Sequence, residues 1–251
     1  MQQKASKVSR KCCAYCGYLG KLTVDHIPPR CLFRTPAPNN INLITVPACK
    51  HCNTTVSLDD EYFRTVLALR HDTYAHPDVQ NTLPSVMRSF ASADKIQFAR
   101  WFFSQMTAID VKTPAGIYLG KREGFNVDLN RVNSVTSRIT TGLFYREFRT
   151  RVPDDYCAVS MSADEYDRQP NDVKKMIGGL LSVVSSGKKR TVGEDVFSYQ
   201  FLAASDQPLC SIWFMTFYGK LTCMTLTLPR KNAKLLPQPS PLIGRTIVGF
   251  G

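Results

Sequence analysis

Two cysteine pairs, Cys13-Ala-Tyr-Cys16 and Cys49-Lys-His-Cys52, bracket the segment Leu22-Thr-Val-Asp25-His26-Ile-Pro-Pro29, and the rest of the chain is placed relative to them. A two-residue spacer lets both thiolates of a pair point at one ion. Two such pairs complete the tetrahedron that zinc prefers, and four sulfurs leave no open coordination position. The expected ion is therefore structural zinc on Cys13, Cys16, Cys49 and Cys52. A single CxxC would suit a redox site equally well; two separated by 32 residues do not. Cys12 could replace Cys13 only by breaking the spacing, and Cys31 reads as a small core residue.

Outward from the pairs, Thr23 and Val24 suit a strand that Pro28-Pro29 ends at once, so His26 falls at a strand end beside a loop. Ile41 to Val46 reads as a second short strand. Ser57-Leu-Asp-Asp60 has the form of a capping box, with Asp59, Asp60 and Glu61 loading the first turn of a helix that runs through Tyr62-Phe-Arg-Thr-Val-Leu-Ala-Leu-Arg70.

The chain has 251 residues, with 32 Lys+Arg against 20 Asp+Glu and a net charge of +12. Residues 1–58 hold eight of the basic residues (Lys4, Lys7, Arg10, Lys11, Lys21, Arg30, Arg34 and Lys50) and one acid, Asp25, and so carry +7 of that charge. Such a patch concentrates polyanions, which makes nucleic acid the first partner to consider. Hydrophobic residues at 43% argue against wholesale disorder. No apolar run approaches the ~20 residues of a membrane span, and no apolar stretch follows the basic N-terminus. These features predict a soluble, cytoplasmic protein with no membrane attachment.

Asp25-His26, Asn42 and Cys49-x-x-Cys52-Asn53 together resemble the HNH endonucleases, the ββα-metal or His-Me finger family, and more narrowly a bacterial subgroup with a four-cysteine zinc ribbon. The strong part of the likeness covers residues 13–64; Thr113 to Gly120 and Gly142 to Phe148 also look like that subgroup. The resemblance implies a divalent-metal-dependent hydrolase of phosphodiester bonds in DNA. His26 would be the general base, since a neutral imidazole can take a proton from the attacking water. Asp25 and Asn53 would hold a catalytic Mg²⁺ or Mn²⁺ through oxygen, the ligand hard cations accept. Asn42 would orient the histidine, with Asn39 or Asn40 as alternatives, and His51 is a rival ligand to Asn53. Arg30, Arg34 and Lys50 are candidate phosphate contacts. The family also implies a role such as anti-phage defence. The alternative from another class is a zinc-containing module that binds nucleic acid or protein without catalysis.

The remainder predicts an α+β protein: a unit at 1–70 with the ββα-metal layout, then a mixed domain at 71–251 that would contact a partner protein or substrate. Turns are expected from Arg70 to about residue 84, with His71 and His76 as loop residues, and a helix at 94–109. Gly116 to Gly120 reads as a short strand. Leu129, Val132, Val135, Ile139 and Leu143 recur at spacings of three and four, an amphipathic helix. A helix is expected at 171–184. Three strands at 196–202, 209–218 and 220–228 form an antiparallel meander, and four prolines between Pro229 and Pro241 suggest an extended tail.

Overall fold

The computed structural model describes residues 12–36, 41–113, 115–166, 169–185, 187–234 and 243–249. Strand β1 (Leu22–Ile27) pairs antiparallel with β2 (Ile44–Cys49), His26 lying opposite Thr45 and Leu22 opposite Cys49. The second strand thus starts and ends three residues later than its sequence suggests, because its pairing continues through Pro47 into the second cysteine pair. Helices α1 (Lys50–Thr54) and α2 (Ser57–Leu69) come directly after it.

The expected capping box does not form. Val56 occupies the N-cap and Ser57 lies inside α2. Its acids instead join neighbouring elements: Asp59 to Arg131 at 2.7 Å, Asp60 to Arg138 at 2.7 Å and Glu61 to Lys95 at 2.6 Å. The expected run of turns holds from residue 71 to 76 and then gives way to a helix. Helix α3 (Pro77–Ala91) starts with Pro77 in its first turn, where a missing N–H costs nothing, and His76 caps it by accepting the Asp78 N–H at Nδ1. Pro84 sits within this helix and does not end it.

Helix α4 (Ile96–Ser104) is shorter than its apolar run, because Met106 already enters β3 (Met106–Lys112), which pairs with β4 (Tyr118–Asp128). Helix α5 (Leu129–Phe148) is the amphipathic helix read from the sequence, and all five stripe residues are buried. At about 1.5–3 kcal/mol for each buried aliphatic side chain, that stripe contributes on the order of 10 kcal/mol.

The remaining elements are β5 (Tyr156–Ser162), α6 (Ala163–Tyr166), α7 (Asn171–Ser185), β6 (Arg190–Val192), β7 (Phe197–Ala203), β8 (Ser211–Phe217), β9 (Leu221–Pro229), α8 (Arg230–Ala233) and β10 (Ile243–Ile247). They complete an antiparallel five-stranded sheet, order β5-β9-β8-β7-β6, that contains the expected meander, while β10 joins β4 and β3. Residues 235–242 of the proline-rich segment lie outside the described residues; the part before them forms α8.

Strand β8 is covered on both faces. Trp213, Met215 and Phe217 enter the main core, while Ile212 and Phe214 enter a smaller one with Ile177 and Val184 of α7. That accounts for its nearly unbroken apolar sequence. The main core also crosses the boundary expected at residue 70: Ile27 and Phe63 belong to the same cluster as Phe144 and Phe217, and Phe63 meets Phe217 edge-on at 5.0 Å. The fold is α+β with antiparallel sheets, and no helix among the described residues is long and apolar enough to cross a membrane.

Candidate metal centre and the surroundings of His26

The four expected sulfurs converge. Ala14 N–H donates to the Pro47 carbonyl at 2.8 Å, docking the first cysteine pair on β2, and Gly17 closes its turn at φ +76°, the left-handed region that glycine enters freely. The second pair starts where β2 becomes α1, with Cys49 Sγ accepting the Cys52 N–H. The Sγ atoms of Cys13, Cys16, Cys49 and Cys52 all lie within 4.8 Å of one another. Cys16 and Cys49 are 3.7 Å apart at sulfur. A tetrahedron with Zn–S bonds of about 2.3 Å has edges of about 3.8 Å, so these residues fit zinc.

Burial works against ionisation of the Cys13 thiol, but backbone N–H groups at Cys16, Cys49 and Tyr15 outweigh it and bring its pKa down to about 7. Burial and the neighbouring sulfurs push Cys52 the other way. Cys12 lies outside the cluster, and Cys31 packs half-buried against the core with its sulfur near the Asp60 carbonyl.

The expected oxygen-ligand site is arranged differently. Alternation along β1 turns Asp25 inward and His26 to the opposite, half-exposed face. Asp25 is 7% exposed and both its oxygens are engaged. Oδ1 accepts the His26 backbone N–H at 2.9 Å, and Oδ2 accepts the Tyr15 hydroxyl at 2.5 Å and Arg138 Nη1 at 3.0 Å. Arg138 spans the gap to Asp60, to which Nη2 donates at 2.7 Å. Burial pushes Asp60 up to about 6 despite that arginine, and burial with the nearby Asp25 charge pushes the Tyr15 phenol far above its usual range. Helix α5 comes close enough for this contact because residue 142 is glycine: any Cβ there would meet Ile27 Cδ1 at 2.5 Å.

Asp25 therefore serves as the counter-ion of a buried arginine, and in this arrangement it does not fit as a ligand of Mg²⁺ or Mn²⁺. Among the described residues, the four cysteines are the one group of three or more His, Cys, Asp or Glu side chains placed for a single ion. Asn53 does reach β1, its Nδ2 donating to Thr23 Oγ1 at 3.0 Å and to the Val24 carbonyl at 3.2 Å, and its Oδ1 meets no donor among the described residues. His51, the rival, is exposed.

Asn42 does not join His26. It lines a cavity of about 340 Å³ with Arg34, Asp78 and Glu194, whose walls include neither Asp25 nor His26. Asn39 and Asn40, like Lys4, Lys7, Arg10 and Lys11, lie outside the described residues. Arg34 is taken up by Asp78, which accepts its backbone N–H at 3.0 Å and faces its guanidinium at 3.9 Å. Arg30 and Lys50 are exposed. His76, read as a loop residue, lies in the bend before α3, where it is tied to Asp195 at 2.7 Å and packs on Tyr218.

The sequence offered little warning of Tyr15, Asp60 and Arg138 as one network. Tyr15 lies within a zinc motif, Asp60 imitates a cap, and Arg138 is one polar residue beside an apolar stripe. Comparison with known proteins adds no relative to set beside this geometry: no family model, no curated protein and no solved structure matches the chain.

Proposed function

We propose that the chain hydrolyses phosphodiester bonds in DNA, with His26 as the general base. The observation that supports this reading is the seat of His26: a half-exposed imidazole at the end of β1, on the face opposite the Asp25–Arg138 pair, in a hairpin braced at its other end by the cysteine cluster. The neutral ring takes a proton from water as the water oxygen bonds to phosphorus. The bond from phosphorus to the departing 3′ oxygen breaks, and that oxygen takes its proton from solvent. Asp25 assists by holding the His26 backbone through its N–H, not by touching the ring. The zinc expected on the four cysteines supplies no open position and so acts on the fold alone.

The Asp25–Arg138 pair favours a second reading, a zinc module that binds nucleic acid without cutting it. Nicking of supercoiled plasmid separates the two, with zinc-loaded wild type and His26→Ala compared with Mg²⁺, with Mn²⁺ and with neither added. Nicking by wild type under at least one of these conditions, lowered at least about 100-fold in the variant, is the expected result for a general base. Equal nicking by both proteins removes His26 from the role. Binding with no nicking under any cation selects the second reading.

A further inference from the structure

A cavity of about 500 Å³ at the β1–β2 hairpin is shared with the C-terminal end of α5 and lies outside every residue the motif points to. Thr23, Val24 and Thr45 form one wall; Tyr145, Arg146 and Arg149 form the other. Arg146 and Arg149 are exposed, and neither side chain makes a hydrogen bond or ion pair with another described residue. No Asp or Glu is among the residues lining the cavity. Two unneutralised guanidiniums in a groove without carboxylates form a site for an anion with more than one charged group along its length.

The position of the groove indicates which anion. Thr45 is the cross-strand partner of His26, and cross-strand partners project from the same face about 5 Å apart. The groove wall therefore ends one residue pair from His26, at Thr45. The same wall is held by Asn53, which donates to Thr23 and Val24. We propose that this groove holds the sugar–phosphate backbone of a nucleic-acid strand, with Arg146 and Arg149 pairing with its phosphates and directing it towards His26. The direction of the strand rests on the nuclease reading; the binding does not.

The test is fluorescence anisotropy of a short labelled DNA duplex across a salt series, with zinc-loaded His26→Ala protein and no added divalent cation. In that background Arg146→Gln/Arg149→Asn is compared with Arg88→Gln/Arg100→Gln, which removes the same charge from exposed positions on α3 and α4. Asparagine suits residue 149, whose φ is +57°. The groove variant is expected to bind at least about 10-fold more weakly, and its slope of log affinity against log salt to shrink by about 1.8, or two phosphate contacts. The control pair should shift neither. Unchanged affinity and slope in the groove variant, an equal loss in the control pair, or no DNA binding by the parent protein would each overturn the proposal. Loss of binding confined to the groove variant, in a protein whose wild type never nicks DNA, upholds the groove and removes the nuclease reading. Nicking by wild type with unchanged binding in the groove variant does the reverse.

Discussion

Replacing Arg138 by methionine tests the buried link between α5 and the hairpin. Methionine keeps much of the side chain's length and apolar contact but removes the cation between Asp25 and Asp60. The arginine side chain is 10% exposed, Asp25 is 9% and Asp60 is 18%, so water reaches none of them freely. Removing one partner of such a buried pair leaves uncompensated charge and costs about 3–5 kcal/mol. In a chain of this size each kcal/mol moves the melting temperature by about 2–4 °C, so a fall of about 6–20 °C is expected.

The pH dependence sharpens the test. Burial already raises Asp60 to about 6 in the folded protein, from 3.8. A carboxylate with a raised folded pKa binds more protons folded than unfolded, so it favours folding below about pH 4 and loses that contribution as pH rises through about 6. Without Arg138 the loss deepens and moves to higher pH. The deficit of the variant relative to wild type, monitored by circular dichroism on zinc-loaded protein, should therefore be larger near pH 8 than near pH 5.5. A deficit below about 1 kcal/mol near pH 8 would refute the reasoning, because it would mean that the two carboxylates do not depend on the guanidinium. An equal deficit at both pH values would do so as well.

The same geometry sets the outcome of other substitutions. Cys16→Ser should reduce bound zinc from about one ion per chain to a small residue by elemental analysis, whereas Cys31→Ser, outside the four-sulfur group, should leave it unchanged. Asn53→Ala removes two donations to β1 and should cost about 1–2 kcal/mol in urea unfolding. Asn53→Asp, which keeps the shape but cannot donate, should lose at least as much; full stability in either variant would show that the amide does not anchor the strand.

Much of this protein could be read from local pattern. The two CxxC pairs found each other because two-residue spacing is itself the chelating geometry. The stripe from Leu129 to Leu143 became a buried helix face because spacing of three and four leaves no other single surface. The meander after Val196 formed as its turn residues and β-rich runs indicated. Local pattern failed where a residue type suits two jobs. Pro77 and Pro84 looked like breakers, yet one opened a helix and the other was tolerated inside it. Asp60 looked like a cap, yet a helix about eighty residues downstream claimed it.

By itself the sequence determined the sulfur cluster, the order of strand and helix around it, and the place of His26 at the end of a strand. These depend on neighbours a few residues away, or on a ligand pattern repeated across one loop. The tertiary structure alone decided what Asp25 does, because a carboxylate buried beside an arginine and a carboxylate facing solvent are the same residue in a sequence. It also placed Arg146 and Arg149 across a cavity from Thr23, Val24 and Thr45 of the hairpin. Those arginines lie more than ninety residues beyond Asn53, and only the packing of α5 across the hairpin, allowed by Gly142, brings them there.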